Sequence, residues 1–392
     1  MRSQGQVLKV SCSILFCLFT FFYIYSYQCD VISYGQMVLS EGKTHFDRTI
    51  GSLLLTVALY LVHLFVSGVV RPHDRYVALT YFPSLLVLTF VTDIPEDMDE
   101  VFSLGDWVWI GPLLLLLYAA LVWFLHQWSA RWTSGSSSFF HDLWVNLSIL
   151  ALMFFLVCSV SNSDERFHRQ LRMERFTIDG DYDDVMDEMA EVGEAEGSFT
   201  LLSAFALSQQ SLLGERFFEY PVSQGSTAIH PGNSTSKTYF VPREVMMMAY
   251  SITYWKNDYE LTGLLMDRRL KDFAQRVKSC YNDSVMPKHY REAMAIFRQS
   301  EDAKVLARQE EAAMKEEMEK ARKERRSGRA KKVKKKEKTI FPEDSIMSAR
   351  YDTYRLLLQS SSDKRVVYNL SRKYFHDTYW HYYHFPQKAK TP

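Results

Sequence analysis

Charge is scarce at one end of this chain, and long apolar runs are missing from the other. Residues 1–161 carry seven Lys/Arg and eleven Asp/Glu, against thirty-nine and thirty-five in residues 162–392. Five long, charge-free and predominantly apolar stretches fall in the first part and none in the second, where the charge-free run 197–214 is interrupted by Ser, Thr and Gln. A hydrocarbon core about 30 Å thick takes roughly 20 apolar residues per helical span, a demand that little else in a sequence mimics. The overall averages, zero net charge and 47% hydrophobic residues, hide this partition. The pattern predicts a membrane anchor, residues 1–161, followed by a water-soluble domain.

Cysteine chemistry is also thin. Of Cys12, Cys17, Cys29, Cys158 and Cys280, three lie in apolar stretches, where thiols pack as small hydrophobes. There is no CxxC motif and no disulfide framework; Cys29 and Cys280 are the pair that an oxidising compartment would expose. Gln28 stands before Cys29 where a lipobox would place a small residue. No small-residue cleavage site follows the first apolar run, which is therefore read as a retained helix.

What is present in the first part is a set of spans over Val10–Tyr27, Thr49–Val70, Tyr76–Thr92, Trp107–Leu125 and Leu143–Val160. Pro83 interrupts the third, so a re-entrant or broken helix is the alternative there, with Thr80 and Ser84 placed to compensate the backbone. Short-loop cations set the orientation. Arg2 and Lys9 place the N-terminus in the cytoplasm, and Arg71, Arg75 and Arg131 agree. The acidic Ile94–Asp106 segment, which has no Lys or Arg, falls outside with the larger domain. Arg166, Arg169, Arg172 and Arg175 dissent, but long domains translocate largely regardless of charge. Trp107, Trp109, Trp123, Trp128, Trp132 and Trp144 fit interfacial belts. Within the spans His63 is the only clear ionisable side chain, and no charge ladder or inverted repeat suggests a pump or transporter.

The second part reads as short amphipathic helices, the first continuing from the fifth span through Phe167, Leu171 and Met173. Asp179-Gly180-Asp181 turns the chain toward Val185, Met186 and Met189, and a helix follows Ser198, with Phe217 and Phe218 after a break. These two pairs repeat at a little over thirty residues, the period of tetratricopeptide-type helical repeats. Met246–Tyr254, Leu261–Val277 and Tyr290–Phe297 add further helices beyond a Ser223–Ser236 loop. Met246, Met247 and Met248 suit adaptable core packing. From Glu301 to about Arg326 the chain predicts a solvated charged helix with pairs such as Glu311–Lys315 and Glu316–Lys320. The basic tract beyond it, RAKKVKKKEK within a run of Lys/Arg over 320–338, reads as a solvated insertion able to touch anionic lipid; no nucleic acid partner is expected. An aromatic-dense helix, Val366–Phe385, closes the chain. Its His376, His381 and His384 do not share a helical face cleanly, so no metal site is assigned.

The class is thus all-α: a five-helix transmembrane bundle (1–161), a helical repeat-like soluble domain (162–300), a charged helix and basic insertion (301–340) and C-terminal helices (341–392). Four ordered segments, ALTYFPSLLVLTFVTDI (Ala78–Ile94), ALSQQSLLGERFFEYP (Ala206–Pro221), MPKHYREAM (Met286–Met294) and DTYWHYYHF (Asp377–Phe385), resemble a family of uncharacterised multi-pass membrane proteins of Gram-negative gut bacteria. The resemblance covers most of the chain and departs from the family at the charged tract after Gln299. It implies a bacterial inner-membrane location and a helical repeat-like exported domain, with no activity and no functional residues.

No catalytic, cofactor-binding or metal-ligating residue is assigned and no cofactor is expected. The leading functional reading is a membrane-anchored protein-interaction module, its partners the lipid bilayer and an envelope protein. The alternatives are a membrane-bound enzyme on a lipid-linked or envelope glycan substrate, or an accessory subunit of a transport or assembly complex. The enzyme reading would draw on Asp93, Glu96, Asp97 and Asp99 at one surface or His141 and Asp142 at the other, although none has the context that identifies a general acid and base.

Overall fold

The computed structural model describes residues 2–71, 73–99, 105–132, 139–193, 196–223, 225–232, 236–281, 286–326 and 344–385. Among them all regular structure is helical and no strand occurs. The basic tract 329–338 lies outside the described residues, as do residues 100–104 of the acidic loop and the side chains of Trp128 and Trp132. The chain divides into two compact units, Met1–Arg172 and Met173–Pro392.

Among the described residues the first unit contains five helices long and apolar enough to cross a membrane. Helix α1 (Arg2–Tyr23) passes through a π-helical stretch, Ile24–Gln28, into α2 (Cys29–Leu39). The result is an apolar helix of 36 residues, Gln4–Leu39, well beyond the expected Val10–Tyr27 span. Gln28 to Tyr34 of the extension are mostly buried, and several of the polar groups there find partners. Gln28 donates to the Tyr23 hydroxyl at 3.1 Å and the Asn162 carbonyl at 3.0 Å, and Asp30 pairs with Arg172 at 3.7 Å. Helix α3 (Arg48–Val70) starts where the Asp47 carboxylate accepts the Thr49 and Ile50 N–H groups, so its first turn is capped.

The third span is broken. A 3-10 helix, Asp74–Tyr81, precedes α4 (Phe82–Thr92), and Pro83 occupies the first turn of α4, where a missing N–H costs no hydrogen bond. Thr80 does compensate the backbone, donating to the Val77 carbonyl at 2.7 Å, whereas Ser84 Oγ has no partner among the described residues. Helices α5 (Trp107–Trp132) and α6 (Phe139–Val160) complete the set. What holds the 3-10 segment is Asn146 on α6, fully buried. Its carboxamide oxygen accepts the Ala78 N–H at 2.7 Å and its Nδ2 donates to the carbonyls of Asp74, Arg75 and Asp142 at 2.7–3.1 Å. Trp109, Trp123 and Trp144 point outward, as belt residues should.

Helix α6 does not run on into the next helix. The chain leaves helical geometry at Ser161 and re-enters it in α7 (Glu165–Asp179), because Asp164 Oδ1 accepts the Arg166 N–H at 2.9 Å and starts a new helix. The division between the units falls inside α7.

The second unit continues with α8 (Tyr182–Ala190), α9 (Gly197–Gln209), α10 (Leu213–Arg216), α11 (Arg243–Ser251), α12 (Thr253–Met266), α13 (Leu270–Cys280), α14 (Lys288–Arg298), α15 (Glu301–Arg326), α16 (Ser345–Gln359), α17 (Lys364–Phe375) and α18 (Tyr379–His384). Helix α9 is apolar all round and buried from Phe199 to Ser208, the mark of a helix at the centre of a unit. The expected partner helix at Phe217 and Phe218 is instead a 3-10 turn, Phe217–Glu219, after the four residues of α10. The expected helix Leu261–Val277 is cut at Asp267–Arg269, where Arg268 has φ +57°. The expected Val366–Phe385 helix is likewise two helices, because the Thr378 hydroxyl caps a fresh turn on the His381 N–H. The charged segment is helical over Glu301–Arg326, as far as the described residues reach.

A buried carboxylate ties the loop before α11 to α7. Glu174 Oε2 accepts the successive N–H groups of Tyr239, Phe240 and Val241 at 2.7, 2.6 and 3.2 Å. Three backbone donors on one oxygen offset the desolvation of a fully buried charge.

Candidate functional site

Residues from the segments Ala206–Pro221, Met286–Met294 and Asp377–Phe385 meet in the second unit. From α14, the fully buried His289 and Glu292 lie 2.9 Å apart. Phe218 donates its N–H to His289 Nε2 at 3.2 Å, which fixes the proton on Nδ1 and makes the imidazole the donor to Glu292 Oε2. The same oxygen accepts the Tyr379 N–H at 2.8 Å, and Trp380 Nε1 donates to the Glu292 carbonyl at 2.9 Å. One residue earlier, Lys288 reaches Glu219 at 2.9 Å and Asp377 at 3.1 Å. Burial opposes the Lys288 charge, but the hydrogen bonds to Glu219 and Asp377 outweigh it and hold the ammonium above its usual pKa. Burial also works against the Asp377 carboxylate, yet Lys288 and Arg350 keep it below its ordinary range. Gly214 lets this junction close: a Cβ there would stand 2.6 Å from the Tyr290 ring. His289 and Glu292 are sealed from solvent, so the junction is architectural and offers no surface to a ligand.

An accessible site lies beside it. A cleft of about 650 Å³ opens between the 3-10 turn Ser226–Ile229, α12 and α13. Its back wall is aromatic, with His230 edge-on to Tyr250 at 4.8 Å and Tyr250 against Tyr259 at 5.0 Å. Its rim is ionic: Arg276 pairs with Glu260 at 2.9 Å and Arg269 with Asp272 at 2.7 Å. Asp267 fixes the facing turn, accepting the Ser226 N–H at 2.8 Å and its hydroxyl at 2.7 Å. Gly225, with φ +87°, permits the turn, and Gly263 lets Ser226 approach α12 closely. An aromatic floor with rim charges of both signs suits an extended polar chain with side chains of either charge. The pattern was hard to see in the sequence, because its residues come from three segments and none forms a motif.

The residues singled out by sequence fall elsewhere. His63 stacks on Tyr81 with ring centroids 3.7 Å apart and meets the Thr80 hydroxyl at 3.1 Å. Since that hydroxyl donates to Val77, His63 Nδ1 is the donor, and the side chain is satisfied within the bundle. Asp93 accepts from Trp107 Nε1 at 2.8 Å and Asp99 from the Tyr34 hydroxyl at 2.9 Å, so both are tied to aromatic donors and not to one another. Asp142 pairs with Arg75 at 3.3 Å, with His141 at 3.6 Å. Cys29 and Cys280 are free thiols, and Met246 is core while Met247 and Met248 are exposed. His381 engages Ser371 and His384 engages the Trp380 carbonyl, each through Nδ1. Among the described residues no three His, Cys, Asp or Glu side chains come together as a metal site.

Comparison with protein-family models, with curated proteins and with solved structures yields no match.

Proposed function

We propose that the chain is a membrane-anchored interaction module in which five spans hold a tetratricopeptide-like helical unit at a bilayer surface and the α12–α13 cleft takes an extended segment of an envelope protein. The observation that carries this reading is the cleft itself: a preformed groove with an aromatic floor and an ionic rim. The short-loop cations support a cytoplasmic N-terminus, and with five spans the cleft faces the far side of a bacterial inner membrane. The basic tract would add contact with anionic lipid.

Site-specific photocrosslinking in intact cells tests the proposal. A photoreactive residue in place of Gln275, which lines the cleft, is expected to capture one reproducible protein. That adduct should be lost when the rim charge is reversed by Glu260→Lys. Lipid or glycan adducts alone, or a protein adduct indifferent to Glu260→Lys, would refute it.

A further inference from the structure

The C-terminal helices enclose a second cavity, of about 230 Å³, bordered by α17, α18 and the Phe218–Val222 segment. Arg372, His376 and His381 converge on it. Arg372 and His376 are exposed, and among the described residues neither has an ion pair or hydrogen bond. The Tyr368 hydroxyl, on the same wall, makes no hydrogen bond among the described residues. The acidic residue lining the cavity, Glu219, is compensated by Lys288 at 2.9 Å and Arg216 at 3.4 Å. Tyr220 accepts from Arg216 and Tyr382 donates to the Met266 carbonyl, so neither adds a free charge or donor. Among the described lining residues the cavity therefore holds more uncompensated basic than acidic groups.

His381 is held ready for a negative group. Ser371, fully buried, places its Oγ 2.8 Å from His381 Nδ1 and directs its own proton to the Tyr354 hydroxyl, which donates to the Trp380 carbonyl. That relay assigns the ring proton to Nδ1 and leaves Nε2 bare. Burial, together with the neighbouring His376 and Arg372, pushes the imidazole down to about 4. The ring is thus neutral at pH 7, chiefly because it is buried and secondarily because its charged neighbours are cationic. A bound anion would reverse that balance and draw a proton onto Nε2.

We propose that this cavity binds a phosphate group, either free phosphate or a phosphomonoester. Arg372 supplies a planar fork suited to two oxyanion oxygens, and the imidazoles of His376 and His381 with the Tyr368 hydroxyl supply further donors around a tetrahedral group. The ring of His381 takes up one proton on binding, and Ser371 acts as its positioning residue. The site stands apart from the α12–α13 cleft and does not depend on what that cleft holds.

Titration calorimetry of the full-length protein in detergent with inorganic phosphate, at about pH 6 and about pH 7.5 in buffers of different ionisation heat, tests the assignment. Saturable binding is expected, with Arg372→Gln weakening it roughly tenfold or more while leaving the thermal midpoint unchanged. Arg372→Lys should recover part of the loss, and His381→Gln should still bind but take up one proton fewer. Glycerol 3-phosphate in place of phosphate distinguishes an esterified from a free ligand by which binds tighter. No saturable binding of either, equal binding by Arg372→Gln, or unchanged proton uptake in His381→Gln would overturn the proposal.

Discussion

The carboxamide of Asn146 holds the N–H of Ala78 at 2.7 Å inside the membrane-spanning unit, across sixty-eight positions of sequence. The 3-10 turn it clamps cannot satisfy its own backbone as an α-helix does, and no water substitutes for the missing bonds in an apolar interior. Replacing Asn146 with Leu keeps the bulk and removes every one of these bonds. The expected loss is about 2–4 kcal/mol, read as a lower unfolding midpoint of the detergent-solubilised protein. A midpoint equal to wild type would show that the turn is held by packing alone.

Glu174 makes a matching prediction in the second unit. Glu174→Gln keeps an acceptor but removes the charge that three N–H groups share, and should cost about 1–3 kcal/mol. Hydrogen exchange at Tyr239, Phe240 and Val241 reports it: those three amides should lose protection before the rest of the unit. Uniform loss across the unit would mean that the carboxylate is not their specific anchor.

Acid should weaken the second unit through His381. Its folded pKa, about 4, lies below the ordinary histidine value near 6.5, so the unfolded chain binds the extra proton first. The stabilising difference is fully present above about pH 6.5 and is lost as pH falls toward 4, on the order of 1–3 kcal/mol after allowance for partial exposure. His381→Gln should flatten that limb of the stability profile while leaving Trp380 packed. Denaturant melts across this range would reveal an unaltered slope if the group did not titrate this way.

Gly214→Ala places a methyl 2.6 Å from the Tyr290 ring, whose hydroxyl is committed to Asp258 and Thr262. The ring cannot swing away freely, and the substitution should destabilise the unit by about 1–3 kcal/mol. Adding Tyr290→Leu should recover part of the loss, which a double-mutant cycle would detect. Strict additivity would place the strain elsewhere.

The membrane half was legible in sequence because twenty-residue apolar runs have few alternative meanings; Trp107 through Leu125 reads as a span by composition alone. Legibility failed at boundaries set by single hydrogen bonds. Thr378 and Asp164 each end one helix and start another by offering an oxygen to nearby N–H groups, and no periodicity records such an event. Helix α14 was readable from Pro287 and its apolar stripe, but not that His289 on it faces Phe218 from seventy-one positions away. The cleft escaped for a related reason. Ser226 and Asp267 come together only once α12 has ended at Met266, so the site exists in tertiary structure and nowhere in local pattern.

The unbroken Gln4–Leu39 helix carries a consequence for the surrounding lipid. At 1.5 Å per residue its 36 residues measure about 54 Å, whereas a hydrocarbon layer spans about 30 Å. The surplus holds Gln28 and Tyr34, bonded to the loops that follow α6 and α4, and Asp30, paired with Arg172 on α7. A thicker bilayer would have to swallow those bonds, and a thinner one would strand the apolar residues below them. The helix therefore acts as a gauge rod, and the protein should settle in membranes whose depth matches the distance from Lys9 to Gln28.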